Sequence, residues 1–252
     1  MRRVREPNHA GTRKRNDRPR RRCGAGSERV ARARKLAARG HHVVLAARDP
    51  SDLASLLEET GGEAVACDAS READVAVLFE RIDRLGHPLE VAVYNPSARS
   101  RGPLVELDPA DVRRALDVTA FGAFLVVQEA ARRMLARELP RGGTRGTILF
   151  TGASAGVKGF PNSAPFAMGK FALRGLAQSI ARELHPQGIH VGHVVVDGGI
   201  DGTPQSGRTG GGEGADNMLD PDAIADTYMH LIDQHRSCWT HEIEVRPWVE
   251  TF

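Results

Sequence analysis

From residue 41 onward, short apolar runs alternate with amphipathic stretches along the chain. The apolar runs predict strands, and the stretches with apolar residues three or four positions apart predict helices. Because the strands are apolar along their whole length, helices should cover both faces of their sheet. The pattern predicts one α/β domain, a three-layer fold around a doubly wound parallel sheet. The predicted strands cover 41–49, 63–70, 89–97, 146–156, 189–199 and 241–247, and the predicted helices cover 51–62, 71–86, 108–139, 163–184 and 220–234.

The first 22 residues differ from the remainder in composition. They hold ten Lys or Arg and two Asp or Glu, a balance of +8, whereas the other 230 residues hold 25 and 30, a balance of −5. Such a segment cannot bury an apolar face, so we expect a disordered basic arm over residues 1–22 and one domain over residues 23–252. The arm is open to three interpretations: a solvated tail without a role, a polyanion-binding arm, or a start-site or reading-frame artefact. A nucleic-acid partner is not favoured, because no aromatic residue is interleaved to stack on bases.

Composition also argues against several classes of protein. The three cysteines, Cys23, Cys67 and Cys238, form no CxxC pair, so the sequence predicts neither a disulfide framework nor a metal site. A reducing cytoplasm is the expected location. No apolar run approaches the roughly 18 residues that a membrane span needs, and we expect no membrane association.

Candidate chemistry lies at the carboxyl ends of the predicted strands, where doubly wound folds bind their ligands. The helix that starts near Ser163 places Phe166 and Lys170 four residues apart, and hence on one face. TGASAG precedes this helix, and GIHVGHVVVDGG follows it. AARDPSDL, CDAS and ALDVTAFGAFLV occur earlier in the chain.

In the order and spacing of these segments, residues 23–252 resemble the short-chain dehydrogenase/reductase (SDR) family. The resemblance implies a Rossmann-type fold and hydride transfer between NAD(P)H and a carbonyl or alcohol. It also implies a Tyr-x-x-x-Lys pair with a Ser and an Asn. Here Lys170 occupies the Lys position, but Phe166 occupies the Tyr position and Thr119 the Asn position. The Ser position falls on an alanine, with Ser154 one residue away. Because Phe has no proton to donate, the chain loses a general acid that contributes on the order of 10²–10⁴-fold.

The same resemblance implies a set of cofactor-binding residues. Arg48 ends a predicted strand at the place of a 2′-phosphate, which favours NADP(H) over NAD(H). Before residue 27, Arg and Pro replace the expected apolar residues, so the first strand is degenerate, although two glycines of the phosphate-binding turn remain. The implied cofactor-binding residues are Gly24, Gly26, Arg48, Asp68, Asn95, Lys170 and Gly198.

Two functions therefore stay open. The first is an atypical NADP(H)-dependent short-chain oxidoreductase, in which Lys170 and Ser154 act on a small carbonyl or alcohol substrate without the Tyr. The second is a catalytically inactive, SDR-like nucleotide-binding or scaffold protein. The resemblance further implies a homodimer or homotetramer, paired through residues 108–138 and 163–185. The Gly-rich stretch over 199–219 is predicted to be a mobile loop that covers the substrate site.

Overall fold

A computed structural model of the protein describes residues 26–202 and 217–249. The predicted basic arm, Gly24 and most of the predicted loop over 199–219 lie outside these ranges. No helix within them is long and apolar enough to cross a bilayer. The helices are α1 (Ser27–Ala38), α2 (Ala54–Thr60), α3 (Glu72–Arg84), α4 (Pro109–Leu116), α5 (Gly122–Leu135), α6 (Ala164–Leu184) and α7 (Pro221–Asp233), and the strands are β1 (Val44–Ala47), β2 (Glu63–Ala66), β3 (Val91–Tyr94), β4 (Gly146–Thr151), β5 (Ile189–Val196) and β6 (Glu242–Val245).

All six strands pair in parallel, which confirms the predicted α/β class. β1 pairs with β2, with Val44 opposite Glu63. β3, β4, β5 and β6 form a second sheet in that order. The sequence also predicted a degenerate first strand. That stretch precedes residue 26 and lies outside the described residues.

Helices cover both faces of the four-stranded sheet, as its apolar strands predict. On one face, Ile148 and Phe150 of β4 pack with α3, α5 and α6. On the other face, Leu149 packs with α7. All eight residues of β5 are buried. Burial of each large apolar side chain contributes roughly 1.5–3 kcal/mol, so β4 and β5 form a rigid base for the residues at their carboxyl ends.

The helix predicted over 108–139 is present from Pro109 to Leu135, with a π-helical turn in its middle. The segment folds as α4, a π-helix over Asp117–Phe121, and α5, which ends at Leu135. The wider turn leaves the carbonyl of Val118 to accept a hydrogen bond from the Tyr94 hydroxyl at 2.5 Å. Single π-helical turns inside α-helices occur often at functional sites, and this one faces the start of α6.

Candidate active site

Helix α6 turns Phe166 and Lys170 toward the protein interior. Ser163 precedes the helix, and Pro165 lies in its first turn, where the missing backbone N–H costs no hydrogen bond. Phe166 is 8% exposed and Lys170 is 3% exposed, which confirms that the two share a buried face. Gly156 and Gly169 allow close packing around this turn. A Cβ on Gly169 would lie 2.9 Å from the Cβ of Thr119 in the π-helix.

The Lys170 ammonium is buried without a carboxylate partner among the described residues. Its Nζ donates to the carbonyl oxygen of Thr151, the last residue of β4, at 2.7 Å. Burial, and then the nearby charge of Arg99, lowers the pKa of Lys170 to about 7. Both protonation states of Lys170 are therefore populated near neutral pH.

Two cations lie near the Phe166 ring. The Arg99 Cζ is 4.1 Å from the ring centroid, and the Lys170 Nζ is 6.0 Å from it. The ring also packs against Ala153 and Ala155. An apolar ring with cations nearby thus takes the position at which the resemblance implies an acidic hydroxyl.

Ser154 lies in the loop that follows β4, between the two alanines that pack against this ring. Ser154 is half-buried and begins a short 3₁₀ turn, and its carbonyl oxygen accepts from the backbone N–H groups of Val157 and Lys158. The Ser154 hydroxyl makes no hydrogen bond to another described residue. The structure therefore brings Ser154, Phe166 and Lys170 together, and leaves the serine hydroxyl available to a ligand.

Thr119 and Tyr94 have structural partners. The buried Thr119 hydroxyl accepts from the backbone N–H of Ala98 at 3.1 Å and so fixes the loop that leads to Arg99. Tyr94 is buried, its hydroxyl is bonded to Val118, and burial raises the pKa of that hydroxyl. Tyr94 is therefore not a substitute proton donor.

The residues predicted to bind the adenosine end of a cofactor lie beyond β1 and β2. Arg48 is exposed and forms no ion pair with another described residue. Asp68 accepts from the backbone N–H and the hydroxyl of Ser70 through one carboxylate oxygen, at 3.0 Å and 2.6 Å. These bonds hold the pKa of Asp68 below its ordinary value. One Asp68 oxygen, Oδ2, is left for a ligand.

Asn95 has partners that the sequence did not reveal. Arg32 Nη2 donates to Asn95 Oδ1 at 2.7 Å, and Asn95 Nδ2 donates to Glu28 Oε1 at 3.2 Å. Arg32 is 4% exposed, and its guanidinium stacks over the Tyr228 ring at 4.6 Å. The Glu28 carboxylate folds back over Gly26, where a Cβ would lie 2.7 Å from Oε2. Asn95 thus joins α1 to the end of β3.

Two further groups lie at the ends of β5 and β6. Gly198 packs against Pro247, and a Cβ there would lie 2.7 Å from Pro247 Cδ. His193 is fully buried, and its Nδ1 lies 2.9 Å from Glu242 Oε2. Arg174 forms two hydrogen bonds with the same carboxylate and, together with His193, lowers the pKa of Glu242 to about 2.

Sequence reasoning missed Arg32, Glu28 and Arg99. An arginine or glutamate in a polar helix such as SERVARARKLAA usually faces solvent, so no local signal marks Arg32 or Glu28 as buried. Arg99 lies just after the strand that is predicted over 89–97. Its position at the carboxyl end of a strand, where doubly wound folds bind their ligands, was the signal available for it.

The parallel strands, the helices on both faces and the residues gathered at the carboxyl ends of the strands define a Rossmann-type α/β protein. A family model described as enoyl-(acyl carrier protein) reductase matches residues 30–242. The crystal structure of a short-chain dehydrogenase from Rhodopseudomonas palustris is 35% identical, with a TM-score of 0.72, over 89% of this chain and 96% of that one. A metagenomic short-chain oxidoreductase in complex with NADP is 29% identical, with a TM-score of 0.72, over 88% of this chain and 93% of that one.

Curated relatives carry the same family likeness. The 3-oxoacyl-(acyl-carrier-protein) reductase MabA of Mycobacterium avium is 30% identical over 172 residues, which covers 68% of this chain and 62% of the relative. The L-2,3-butanediol dehydrogenase of Corynebacterium glutamicum is 30% identical over 173 residues, 65% of each chain. The matches thus span less than two thirds of these relatives. The chain belongs to the short-chain dehydrogenase/reductase family of oxidoreductases.

Proposed function

We propose that this protein is an atypical NADP(H)-dependent oxidoreductase that acts on a carbonyl or alcohol substrate without a tyrosine acid. The observation that carries the proposal is the state of Lys170. Its ammonium is buried beyond the carboxyl end of β4, is bonded to Thr151 at 2.7 Å, and has a pKa of about 7. Lysines perturbed in this way cluster at functional sites.

Two side chains would act on the substrate oxygen. When bound, the nicotinamide cofactor supplies or accepts a hydride. Ser154 would orient the oxygen of the substrate through its hydroxyl, which has no described partner. Lys170 Nζ would hold the proton that the oxygen gains on reduction, because it exchanges a proton near neutral pH. The proposal assigns Phe166 and Thr119 no proton, since one has none and the other fixes a loop.

The residues at the adenosine end fit NADP(H). Arg48 offers an exposed guanidinium to a 2′-phosphate, and Asp68 keeps one oxygen for an adenine amino group. A solved relative in complex with NADP adds support. The diphosphate end offers the first turn of α1 after Gly26 and two buried donors without a hydrogen-bond partner among the described residues, Arg29 Nε and Arg32 Nη1. Such donors suit an anion.

One group at the diphosphate end opposes the cofactor. The Glu28 carboxylate lies in the first turn of α1, where the helix dipole and free N–H groups favour an anionic ligand. The negative charge of Glu28 in that place repels the diphosphate of the cofactor. We therefore propose that NADP(H) binds more weakly than a chain without Glu28 would allow, with Arg29 and Arg32 offsetting part of the repulsion.

The second candidate is a catalytically inactive SDR-like nucleotide-binding or scaffold protein. Phe166 in the Tyr position and the Glu28–Asn95–Arg32 network favour it. The two candidates differ in turnover, whereas both permit nucleotide binding.

The experiment is to titrate the full chain with NADPH and with NADH by calorimetry, and then to follow NADPH oxidation with a panel of aldehydes and ketones. Lys170→Met and Ser154→Ala serve as site variants, and Ser179→Ala, an exposed position on α6, is the matched control. Saturable NADPH binding with turnover that both site variants abolish supports the oxidoreductase. Binding without turnover supports the second candidate, and no binding of either nucleotide refutes the oxidoreductase.

We also propose that the protein pairs with a second copy through α5 and α6. Phe121 and Phe124 stack on one another at the start of α5 with a centroid distance of 6.2 Å, and each is more than 40% exposed. Phe171 on α6 is also exposed. Sedimentation of the native chain, with Phe124→Glu as the variant, tests this pairing.

A cytoplasmic location stays a prediction, to which the free thiols of Cys67 and Cys238 add support.

A further inference from the structure

Arg99 has a cationic head without an anionic partner. Its guanidinium lies 4.1 Å above the centroid of the Phe166 ring and forms no ion pair with any carboxylate among the described residues. The side chain is partly open to solvent. Burial of its inner part and the charge of Arg101 lower the pKa of Arg99, as expected for a cation without an anion beside it.

The stacked position leaves the hydrogen-bond donors of Arg99 available. A guanidinium carries five N–H donors in its own plane, and an aromatic ring contacts the face of that plane. The Arg99 guanidinium also forms no hydrogen bond with another described residue. The planar donors match the two oxygens of a carboxylate, which an arginine binds through two parallel hydrogen bonds.

The segment that carries Arg99 is held at both ends. Before it, the Ala98 N–H donates to the Thr119 hydroxyl at 3.1 Å, and after it, the Gly102 N–H donates to the carbonyl oxygen of Asn162 at 3.1 Å. Asn162 lies just before α6, so both contacts tie the segment to the walls of the candidate site. A fixed segment loses little freedom when it binds a ligand.

The charges around the site favour an anion. Lys170 Nζ lies 6.0 Å from the centroid of the same ring, and Arg101 is exposed nearby. The carboxylate of Asp197, at the end of β5, already faces two cations, Lys158 at 3.7 Å and Arg246 at 3.5 Å. The described residues thus leave Arg99 as a cation that a ligand can satisfy.

We infer that the substrate carries a carboxylate and that Arg99 binds it above the Phe166 ring, so that the substrate class is a keto acid or hydroxy acid. The inference rests on the proposed oxidoreductase function, because that function makes the reacting group of the substrate a ketone or a hydroxyl. The binding site itself is independent of turnover, and can therefore be tested separately.

The test is calorimetric titration of the full chain with pyruvate, acetoacetate and phenylglyoxylate, and with their methyl esters, in the presence and absence of NADPH. Arg99→Met removes the charged fork and keeps an apolar stem on the ring. Arg101→Met is the matched control, because it removes a neighbouring charge from the same segment. We expect at least one acid to bind the native chain and the control. We expect its affinity for Arg99→Met to fall by about tenfold or more, as for the loss of a charge-assisted bidentate contact. The ester should bind weakly to all three proteins.

Equal binding of acid and ester, equal loss in both variants, or no binding of any acid overturns the inference. NADPH binding is scored in the same samples. If the native chain binds NADPH but none of the acids, the carboxylate site alone is refuted, whereas acid binding by a native chain that does not bind NADPH refutes the proposed oxidoreductase alone. Arg99→Lys adds a second measure, because a lysine keeps the charge and loses the fork, and it should restore only part of the affinity.

Discussion

Phe166→Tyr adds one hydroxyl at the place where the family positions its acid. The ring is 8% exposed, so the new oxygen enters a confined space and can destabilise the fold by about 1–3 kcal/mol through overpacking. The variant also gains a phenolic hydroxyl, which is able to donate a proton. We expect a net gain in carbonyl reduction.

The neighbouring cations set the size of the effect. A unit charge 6.0 Å away, the distance from Lys170 Nζ to the ring centroid, stabilises a phenolate by roughly 0.7 kcal/mol at a water-like dielectric constant and roughly 2.8 kcal/mol at an effective value near 20. This lowers the pKa of a tyrosine, ordinarily near 10, by about 0.5–2 units. Arg99 acts in the same direction, but it is partly exposed and contributes less. The hydroxyl then becomes a usable acid, and a positioned acid contributes on the order of 10²–10⁴-fold.

The assay is kcat/KM for NADPH oxidation with the best carbonyl substrate, measured on native chain, Phe166→Tyr and Phe171→Tyr. Phe171 lies exposed on the same helix, so its variant controls for a new tyrosine without a new acid. We expect an increase of about 100-fold or more for Phe166→Tyr and none for the control. Urea denaturation and NADPH titration report whether the variant is folded and binds cofactor. A folded, cofactor-binding Phe166→Tyr with unchanged kcat/KM would refute the assignment of this pocket as the reaction site.

Three other predictions follow from the same contacts. Glu28→Gln should tighten NADPH binding about two- to tenfold in calorimetry, because it removes a charge from the first turn of α1 and keeps an acceptor for Asn95, whereas the exposed control Glu58→Gln should leave affinity unchanged. Tyr228→Phe should lower the urea-derived free energy of unfolding by about 1–3 kcal/mol, because the buried Thr151 hydroxyl loses its 2.7 Å partner; an unchanged value would contradict the bond. The pKa of Lys170 falls from an ordinary 10.5 to about 7, so the unfolded chain binds more protons between these pH values, and the free energy of unfolding should rise with pH across that range. Lys170→Met should flatten this rise, and equal slopes in the two proteins would show that the lysine is solvated.

The sequence carries enough information for the main elements around the site. The apolar runs and their spacing predict β4, β5 and α6, because each of these elements buries a regular face. The four-residue spacing of Phe166 and Lys170 places both in the pocket for the same reason. Local pattern and tertiary packing agree at these positions.

The remaining contacts depend on tertiary structure. Arg32 is buried only because Asn95 and Tyr228, distant in the sequence, receive its guanidinium. The π-helix within the predicted long helix contains Val118, whose carbonyl accepts from the Tyr94 hydroxyl, 24 residues earlier in the chain. Helical periodicity carries no information about either partner, and propensity differences of a few tenths of a kcal/mol are smaller than these contacts.

The energetics of Lys170 weigh on the choice between an enzyme and a scaffold. Burial of the Lys170 side chain without a carboxylate partner among the described residues destabilises the folded state at pH values below 10.5, and most at pH values below its pKa of about 7. A methionine of similar length would avoid that cost. A scaffold would gain stability from such a replacement and lose nothing. An oxidoreductase would lose the group that exchanges a proton beside the substrate oxygen. Lys170→Met therefore separates the two functions in one protein. A variant that is more stable at pH 6 and retains every measurable property favours the scaffold, whereas one that is more stable and loses turnover assigns the cost of burying Lys170 to catalysis.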